Sequence, residues 1–118
     1  MITLTTDFGT RDPYVAEMKG VVLQLNPQAT IVDISHHIEP QSVAQGAFVL
    51  GSAYRFFPCD TIHVAVVDPG VGTSRRAILL NTREGIFLAP DNGLLTYVLR
   101  DSLEYQAVVQ DRQLLEPM

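Results

Sequence analysis

A regular alternation of short apolar runs with longer segments of helical periodicity is the feature that most constrains the fold. Residues 2–6, 30–34 and 61–67 are rich in β-branched and apolar side chains, and a polar turn follows each run, as is typical of buried strands. Residues 13–25 and 43–54 lie between these runs, and their apolar side chains recur at helical spacing. The alternation predicts an α/β domain with a mostly parallel sheet and helices on both faces.

Both predicted helices carry start and stop signals. Asp12 is expected to cap the first helix, with Pro13 as its first residue, because a missing amide donor costs nothing at that position. The helix is expected to end at Asn26, which a proline follows. Ser42 is the expected cap of the second helix, which should end before Pro58.

The last third of the chain predicts shorter elements. Residues 77–81 and 85–89 are expected to form two strands joined by a short polar connection. Asp91-Asn92-Gly93 is a tight turn signal before a short helix over residues 94–99, and residues 105–109 predict a weak final strand.

Length and composition restrict the number of domains and the kinds of partner. The chain has 118 residues, of which 47% are hydrophobic, so we predict a single domain over residues 1–118. Acidic residues outnumber basic ones, 13 to 8, and the basic residues are scattered apart from Arg75-Arg76, which predicts no nucleic-acid or anionic membrane surface. No apolar stretch of membrane-spanning length and no secretory signal pattern occurs, so we expect a cytoplasmic protein with a small-molecule ligand.

Loop carboxylates follow two of the predicted strands. Asp7 and Asp68 come directly after strands, and Asp12 lies at the start of the next helix, so parallel strands would bring them to one edge of the sheet. A carboxylate can accept two hydrogen bonds from a ribose diol or receive a cationic amine. Turn formation and capping are the alternative roles, and they suit Asp12 best. Gly70 and Gly72 favour a ligand at Asp68, because glycine lets the backbone approach closely.

Arginine and histidine side chains are the other candidates for chemistry. Arg75 follows Asp68 across a glycine-containing turn that can fold its guanidinium back toward the carboxylate, although an exposed ion pair is the alternative. His36 and His37 are adjacent and therefore poorly disposed to share one metal ion, so we interpret both as loop hydrogen-bonding residues. We interpret His63, inside an apolar strand, as a core or sheet-face histidine with satisfied hydrogen bonds. No metal site is predicted.

An ordered set of motifs adds a family resemblance. The motifs are Thr6-Asp7-Phe8-Gly9, Asp12-Pro13-Tyr14-Val15 with Met18-Lys19-Gly20, Val67-Asp68-Pro69-Gly70-Val71-Gly72-Thr73 with Arg75-Arg76, and Ala89-Pro90-Asp91-Asn92-Gly93. In this order they resemble the S-adenosyl-L-methionine hydroxide adenosyltransferases, which are relatives of the fluorinase and chlorinase. The resemblance runs from near the first residue to about Leu99, and the ordered set is far more specific than any single motif.

The resemblance implies hydrolysis of S-adenosyl-L-methionine to adenosine and L-methionine, by attack of water on the ribose 5′ carbon. It implies that Asp68 and Arg75 act on the attacking water, that Asp7 binds the ribose hydroxyls and that Asp12 receives the methionine portion. The substrate-binding set that the resemblance implies is Asp7, Phe8, Asp12, Asp68 and Asn92. No cofactor is implied, since S-adenosyl-L-methionine is itself the substrate.

The residue types fit this chemistry. Sulfonium is a good leaving group, so the difficulty lies in the nucleophile: free water has a pKa near ~15.7 against ~4 for a carboxylate, and Asp68 cannot simply remove its proton. A guanidinium stabilises developing hydroxide while the carboxylate orients the water or accepts its proton. In the halide-using relatives the position of Asp68 is not acidic, so an acid here favours hydroxide.

The family resemblance also implies parts beyond this domain. Family members add a carboxyl-terminal β-barrel that binds adenine across a trimer interface, and a histidine in a later segment completes the group that handles the water. We therefore expect a homotrimer, and we expect residues 1–118 to lack the β-barrel and to carry the water-activating half of the site. Two alternatives stay open: a non-catalytic nucleoside-binding or assembly domain, and a divalent-metal phosphohydrolase using Asp7, Asp68 and Asp91.

Overall fold

The computed structural model describes residues 1–68, 76–102 and 104–110, with the backbone alone at residues 109 and 110. The strands and helices confirm the predicted order, and their ends differ from the predicted ones by at most two residues. In chain order they are β1 Ile2–Thr6, α1 Tyr14–Leu25, β2 Ile31–Ser35, α2 Val43–Ala53, a 3₁₀ turn Tyr54–Phe56, β3 Ile62–Val66, β4 Ala77–Thr82, β5 Gly85–Pro90, α3 Thr96–Asp101 and β6 Tyr105–Gln110.

The six strands form one sheet in the order β2-β1-β3-β5-β4-β6. Strand β1 pairs in parallel with β2 and β3, and β3 pairs in parallel with β5, whereas β4 is antiparallel to both β5 and β6. The predicted mostly parallel sheet is therefore confirmed. The four parallel strands end at one edge of the sheet, which we call the carboxyl edge. Strand β4 begins at this edge, because Ala77 lies opposite Pro90.

Helices lie on both faces of the sheet, as predicted. Helices α2 and α3 cover one face and form the main core with it. The buried members of that core are Ile38, Leu50, Tyr54, Ala65, Val67, Leu80, Phe87, Ala89, Leu94, Leu95 and Val98. Helix α1 lies on the opposite face, where Met18 and Val22 line a groove together with Leu4 of β1 and Val64 of β3. No helix among the described residues is long and apolar enough to cross a membrane.

The two helix starts differ in how well the sequence predicted them. The capping role of Asp12 is wrong, because Pro13 is the N-cap residue of α1 and no side chain caps the helix. The Glu17 amide donates the first helical hydrogen bond to the Pro13 carbonyl at 2.9 Å, so the helix begins one residue later than predicted. Ser42 caps α2 as predicted, with its hydroxyl oxygen accepting from the Gln45 amide at 3.3 Å.

The close approach of α2 to the sheet depends on a glycine. A Cβ atom added to Gly46 would lie 2.8 Å from Leu94 Cδ2 and 3.2 Å from Val67 Cγ2. These distances are shorter than side-chain carbons tolerate, so no larger residue fits without a shift of its neighbours. Gly46 thereby lets α2 pack directly against Val67, the residue that precedes Asp68.

Candidate functional site

The carboxyl edge holds the two strand-end aspartates on neighbouring strands. Thr6 of β1 is in register with Val66 of β3, and Asp7 and Asp68 follow shortly after them. Both aspartates are half-buried. The common edge that the sequence predicted for them is therefore present. Arg75 lies in the segment 69–75, outside the described residues, so its pairing with Asp68 stays a prediction.

Two backbone contacts hold the loop that carries Asp7. The Gln41 amide donates to Asp7 Oδ2 at 2.7 Å, which engages one of the two carboxylate oxygens. The Gly9 amide donates to the His36 carbonyl at 2.7 Å. Gly9 has a φ of +72°, a conformation that glycine adopts without strain. The loops after β1 and β2 thus fix the Asp7 carboxylate at the carboxyl edge.

A hydrogen-bonded chain that begins at two buried residues, Thr6 and His36, and ends at the surface lies next to this loop. His36 is only 4% exposed, and its Nδ1 lies 2.8 Å from the Thr6 hydroxyl oxygen. Its Nε2 lies 2.8 Å from Asp33 Oδ1, and Lys19 Nζ donates to Asp33 Oδ2 at 2.8 Å. The chain therefore joins β1, β2 and α1 immediately next to Asp7. The interpretation of His36 as a loop hydrogen-bonding residue is confirmed.

The donors and acceptors of this chain favour one arrangement of protons. The Phe8 amide donates to the Thr6 hydroxyl oxygen at 3.2 Å, which leaves the hydroxyl proton for His36 Nδ1. The proton on His36 Nε2 then goes to Asp33. Burial raises the pKa of Asp33, but hydrogen bonds from Lys19 and His36 outweigh that effect and lower the pKa below its ordinary value. Asp33 is therefore a carboxylate at neutral pH.

Sequence reasoning missed Asp33 and Lys19 as members of this chain. Asp33 is a charged residue inside an otherwise apolar strand run, and that was a usable signal because such residues are seldom placed there without a partner. The partner itself could not be identified, since Lys19 comes from another element and its contact depends on how α1 crosses the sheet.

Phe8 and Asp12 lie on the α1 side of the carboxyl edge. Phe8 is half-buried, and its ring meets the ring of Tyr14 edge to face, with centroids 6.3 Å apart. Asp12 is exposed in the turn before α1. Both residues therefore belong to the segment that joins Asp7 to α1. Their contact with a substrate stays a prediction.

Asn92 ties the turn after β5 to the end of β3. Its Nδ2 donates to the Val67 carbonyl at 2.8 Å, and its Oδ1 accepts from the Leu94 amide at 3.2 Å. These bonds give Asn92 a structural role that the sequence did not predict. The contact of Asn92 with a substrate beside Asp68 stays a prediction.

The positions of His63 and of the loop aspartates test the alternative that the chain is a divalent-metal phosphohydrolase. His63 is fully buried near the start of β3, away from the carboxyl edge, and burial lowers its pKa to about 4. Its Nδ1 lies 2.7 Å from the Thr3 hydroxyl oxygen, but Nε2 has no partner among the described residues, so the predicted full satisfaction is wrong. No three histidine, cysteine or acidic side chains within the described ranges are grouped to hold a metal ion.

The amino-acid sequence of the chain is similar to one described family and to proteins of known name. Residues 2–116 match the family described as SAM hydroxide adenosyltransferase N-terminal domain. A Methanocaldococcus jannaschii protein named (R)-S-adenosyl-L-methionine hydrolase is 50% identical over 103 residues, which cover 83% of this chain and 39% of that protein. A fluorinase from an Actinoplanes species is 32% identical over 124 residues, covering 86% of this chain and 42% of that protein.

A solved structure shows the same fold. The crystal structure of a conserved protein from Thermotoga maritima superposes with a TM-score of 0.87 at 40% identity, covering all of this chain (100%) and 47% of that one. The chain thus spans about two fifths of the length of the curated relatives that it matches, at 39% and 42%.

Proposed function

Because the chain belongs to the SAM hydroxide adenosyltransferase family, we propose that it contributes the water-activating half of an enzyme that hydrolyses S-adenosyl-L-methionine to adenosine and L-methionine. A water oxygen attacks the ribose 5′ carbon, a carbon–oxygen bond forms, and the carbon–sulfur bond breaks. The bonding electrons leave with the sulfur, which becomes the neutral thioether of methionine. The observation that carries the proposal is the pair of half-buried carboxylates, Asp7 and Asp68, that follow adjacent parallel strands at one edge.

Asp68 and Arg75 have complementary roles in this proposal. The Asp68 carboxylate orients the water and accepts its proton as the new bond forms, and the Arg75 guanidinium stabilises the developing hydroxide. Holding the water in line with the breaking carbon–sulfur bond supplies the rest of the acceleration. An anionic halide would be repelled by Asp68, so hydroxide is the proposed nucleophile.

Asp7 is proposed to bind the ribose diol. Its Oδ2 accepts from the Gln41 amide, so the carboxylate is already oriented before a ligand arrives. Asp12 is proposed to receive the ammonium group of the methionine portion, for which its exposure in the turn before α1 leaves room. Phe8 and Asn92 are proposed to border the substrate on either side.

The cellular and quaternary parts of the proposal follow from the family. We propose a homotrimer without a cofactor, because the sulfonium of the substrate already supplies the leaving group. We place it in the cytoplasm, since the single cysteine, Cys59, is an exposed free thiol, which suits a reducing compartment. Sedimentation velocity and cell fractionation test these two points.

The decisive experiment follows adenosine by chromatography in ¹⁸O-labelled water. The chain is assayed with both sulfonium epimers of the substrate, alone and together with the part of the Methanocaldococcus jannaschii relative that lies outside the matched region. We expect poor turnover by the chain alone, and adenosine labelled at its 5′ oxygen from the combination. The name of that relative, (R)-S-adenosyl-L-methionine hydrolase, favours the (R) epimer.

Asp68→Asn tests the residue that accepts the proton. The amide keeps the shape of the side chain but cannot act as a base, so we expect adenosine formation to fall at least about 100-fold. Asp60→Asn is the matched control, because Asp60 is exposed before the start of β3, at the opposite edge. Unlabelled adenosine, or full activity of Asp68→Asn, would reject the mechanism. Adenosine binding without turnover in calorimetry would instead favour a non-catalytic nucleoside-binding domain.

A further inference from the structure

One face of the sheet carries a row of apolar side chains that the described helices leave partly uncovered. The pairing register aligns Leu4, Val64, Leu88, Leu79 and Val108 in a single row across five neighbouring strands. This is the face on which α1 lies. We call the part of it beyond α1 the open face, and its residues are Ile62, Val64, Leu79, Ile86, Leu88 and Val108.

The exposure of the open face is unusual for its position in the sheet. Strands β3 and β5 are central and parallel to each other, and such strands are normally covered on both faces. Ile62 is 37% exposed, Leu88 is 36% exposed and Val108 is 55% exposed. The neighbouring residue Phe87, which points to the opposite face, is completely buried at 0%. Among the residues that the structure describes, the open face is therefore apolar surface without the cover that central parallel strands normally have.

A groove of suitable shape lies between α1 and the open face. It has a volume of about 600 Å³, and Leu4 and Val64 form its floor. Met18 and Val21 of α1 form its wall, and Val21 is 57% exposed toward it. Groove and open face together form one continuous apolar surface.

We propose that this surface binds an amphipathic α-helix, which lies beside α1 over β3 and β5 and belongs to polypeptide that the longer relatives carry outside the matched part. The matched part is 39% of the Methanocaldococcus jannaschii protein and 47% of the Thermotoga maritima structure, so more than half of each lies outside it. The proposal concerns assembly and is independent of the proposed hydrolysis.

The dimensions of the surface suit a helix. A helix is about 10 Å wide and therefore covers two strands that lie about 4.8 Å apart. Helix α1, with 12 residues, already spans the length of strands on this face. A second copy of the chain fits less well, because α1 projects from the same face and would hold two facing sheets apart.

Hydroxyl-radical footprinting with mass spectrometry tests where the helix binds. The probe is the unmatched part of the Methanocaldococcus jannaschii relative, produced as a separate polypeptide and mixed with the 118-residue chain. We expect oxidation of Ile62 and Leu88 to fall about fivefold or more on mixing. Oxidation of Phe56, which is 87% exposed beyond α2, should not change. Unchanged oxidation of the open face on mixing would overturn the proposal. The same protection from oxidation when the chain alone is concentrated would also overturn it, because it would show that a second copy covers the open face.

Charge substitutions on the open face provide an independent measurement. We expect Leu88→Lys to weaken binding of the same polypeptide by about tenfold or more, because binding would bury a charge. Phe56→Lys is the matched control and should bind as the unsubstituted chain does. Far-UV circular dichroism checks folding, and Ile62→Lys serves if Leu88→Lys does not fold. Full affinity of the folded variant would overturn the proposal whether or not the chain hydrolyses S-adenosyl-L-methionine.

Discussion

At the residue scale, two buried histidines have opposite surroundings. His36 lies between a hydroxyl and a carboxylate, and both of its nitrogens have partners. His63 stacks on Phe87 with ring centroids 4.8 Å apart, and only its Nδ1 is bonded among the described residues. The apolar run around His63 predicted its burial. The unpartnered nitrogen could not be predicted, because the neighbour of Nε2 comes from another strand. That neighbour is Gly85, which packs so closely that an added Cβ would lie 3.2 Å from Nε2.

His63 is expected to make stability depend on pH. Burial lowers its pKa to about 4 in the fold, whereas an unfolded histidine titrates near 6.5. The unfolded chain therefore takes up the proton first, so the contribution is complete above about pH 6.5 and is lost as the pH falls toward 4. We expect the free energy of unfolding to drop by about 2.5 kcal/mol between about pH 7.5 and 4.5 from this group.

Urea denaturation at the two pH values measures this effect. His63→Leu removes the titrating group, so its pH dependence should be smaller by that amount. His37→Gln is the control for replacing an exposed histidine, and this variant should keep the contribution of His63 to the pH dependence. Equal pH dependence in His63→Leu and the unsubstituted chain would contradict the assignment.

Asp7 gives a second prediction at the residue scale. Asp7→Asn keeps an oxygen that can accept from the Gln41 amide but loses the charge that strengthens bonds to ribose hydroxyls. We expect adenosine affinity to fall by about 10-fold or more in calorimetry with the assembled protein. Asp60→Asn should bind normally, and an Asp7→Asn variant with unchanged affinity would place the ribose elsewhere.

At the scale of elements, hydrophobic patterns predicted nearly all helices and strands, while tertiary contacts set their ends and order. Helix α3 begins at Thr96, two residues later than predicted, because Leu94 and Leu95 form a turn that is buried in the core. Strand β5 lies between β3 and β4, although β4 precedes it in the chain. Local patterns do not contain this order, since it depends on the register of long-range pairs.

Two helical glycines should respond oppositely to alanine. Gly46→Ala would place Cβ 2.8 Å from Leu94 Cδ2, and overpacking of this kind outweighs the gain in helix propensity, so we expect a loss of about 1 kcal/mol. Gly20 in α1 has nothing within 4 Å of an added Cβ, so Gly20→Ala should gain up to about 1 kcal/mol. Urea denaturation of both variants checks the signs, and stabilisation by Gly46→Ala would refute the close packing of α2.

At the scale of the whole molecule, the sequence predicted the sheet edge that gathers Asp7 and Asp68 but not the apolar open face. Each strand pattern is compatible with cover on both sides, so only the arrangement of the described helices shows which part of the sheet they leave uncovered. The proposed catalytic pairing of Asp68 with Arg75 comes from the family resemblance, because Arg75 lies outside the described residues.

Covering the open face should stabilise the chain. A polypeptide that binds only the folded state adds about 2.7 kcal/mol when its free concentration is about 100 times Kd. We therefore expect a higher Tm for the chain mixed with the unmatched part of the Methanocaldococcus jannaschii relative, measured by scanning calorimetry. Leu88→Lys should lose most of this increase, and an increase of equal size in that variant would indicate binding at another surface.

The Asp7 carboxylate is oriented by the main chain at position 41 and not by a side chain. The side chain at position 41 can therefore be changed while the hydrogen bond from its amide to Asp7 is kept. Proline is the exception, because it has no amide N–H. The positive φ of 63° at Gln41 makes glycine and asparagine the easiest replacements. Position 41 is thus a place where a substitution can change the surroundings of the proposed ribose-binding carboxylate without removing the hydrogen bond that orients it.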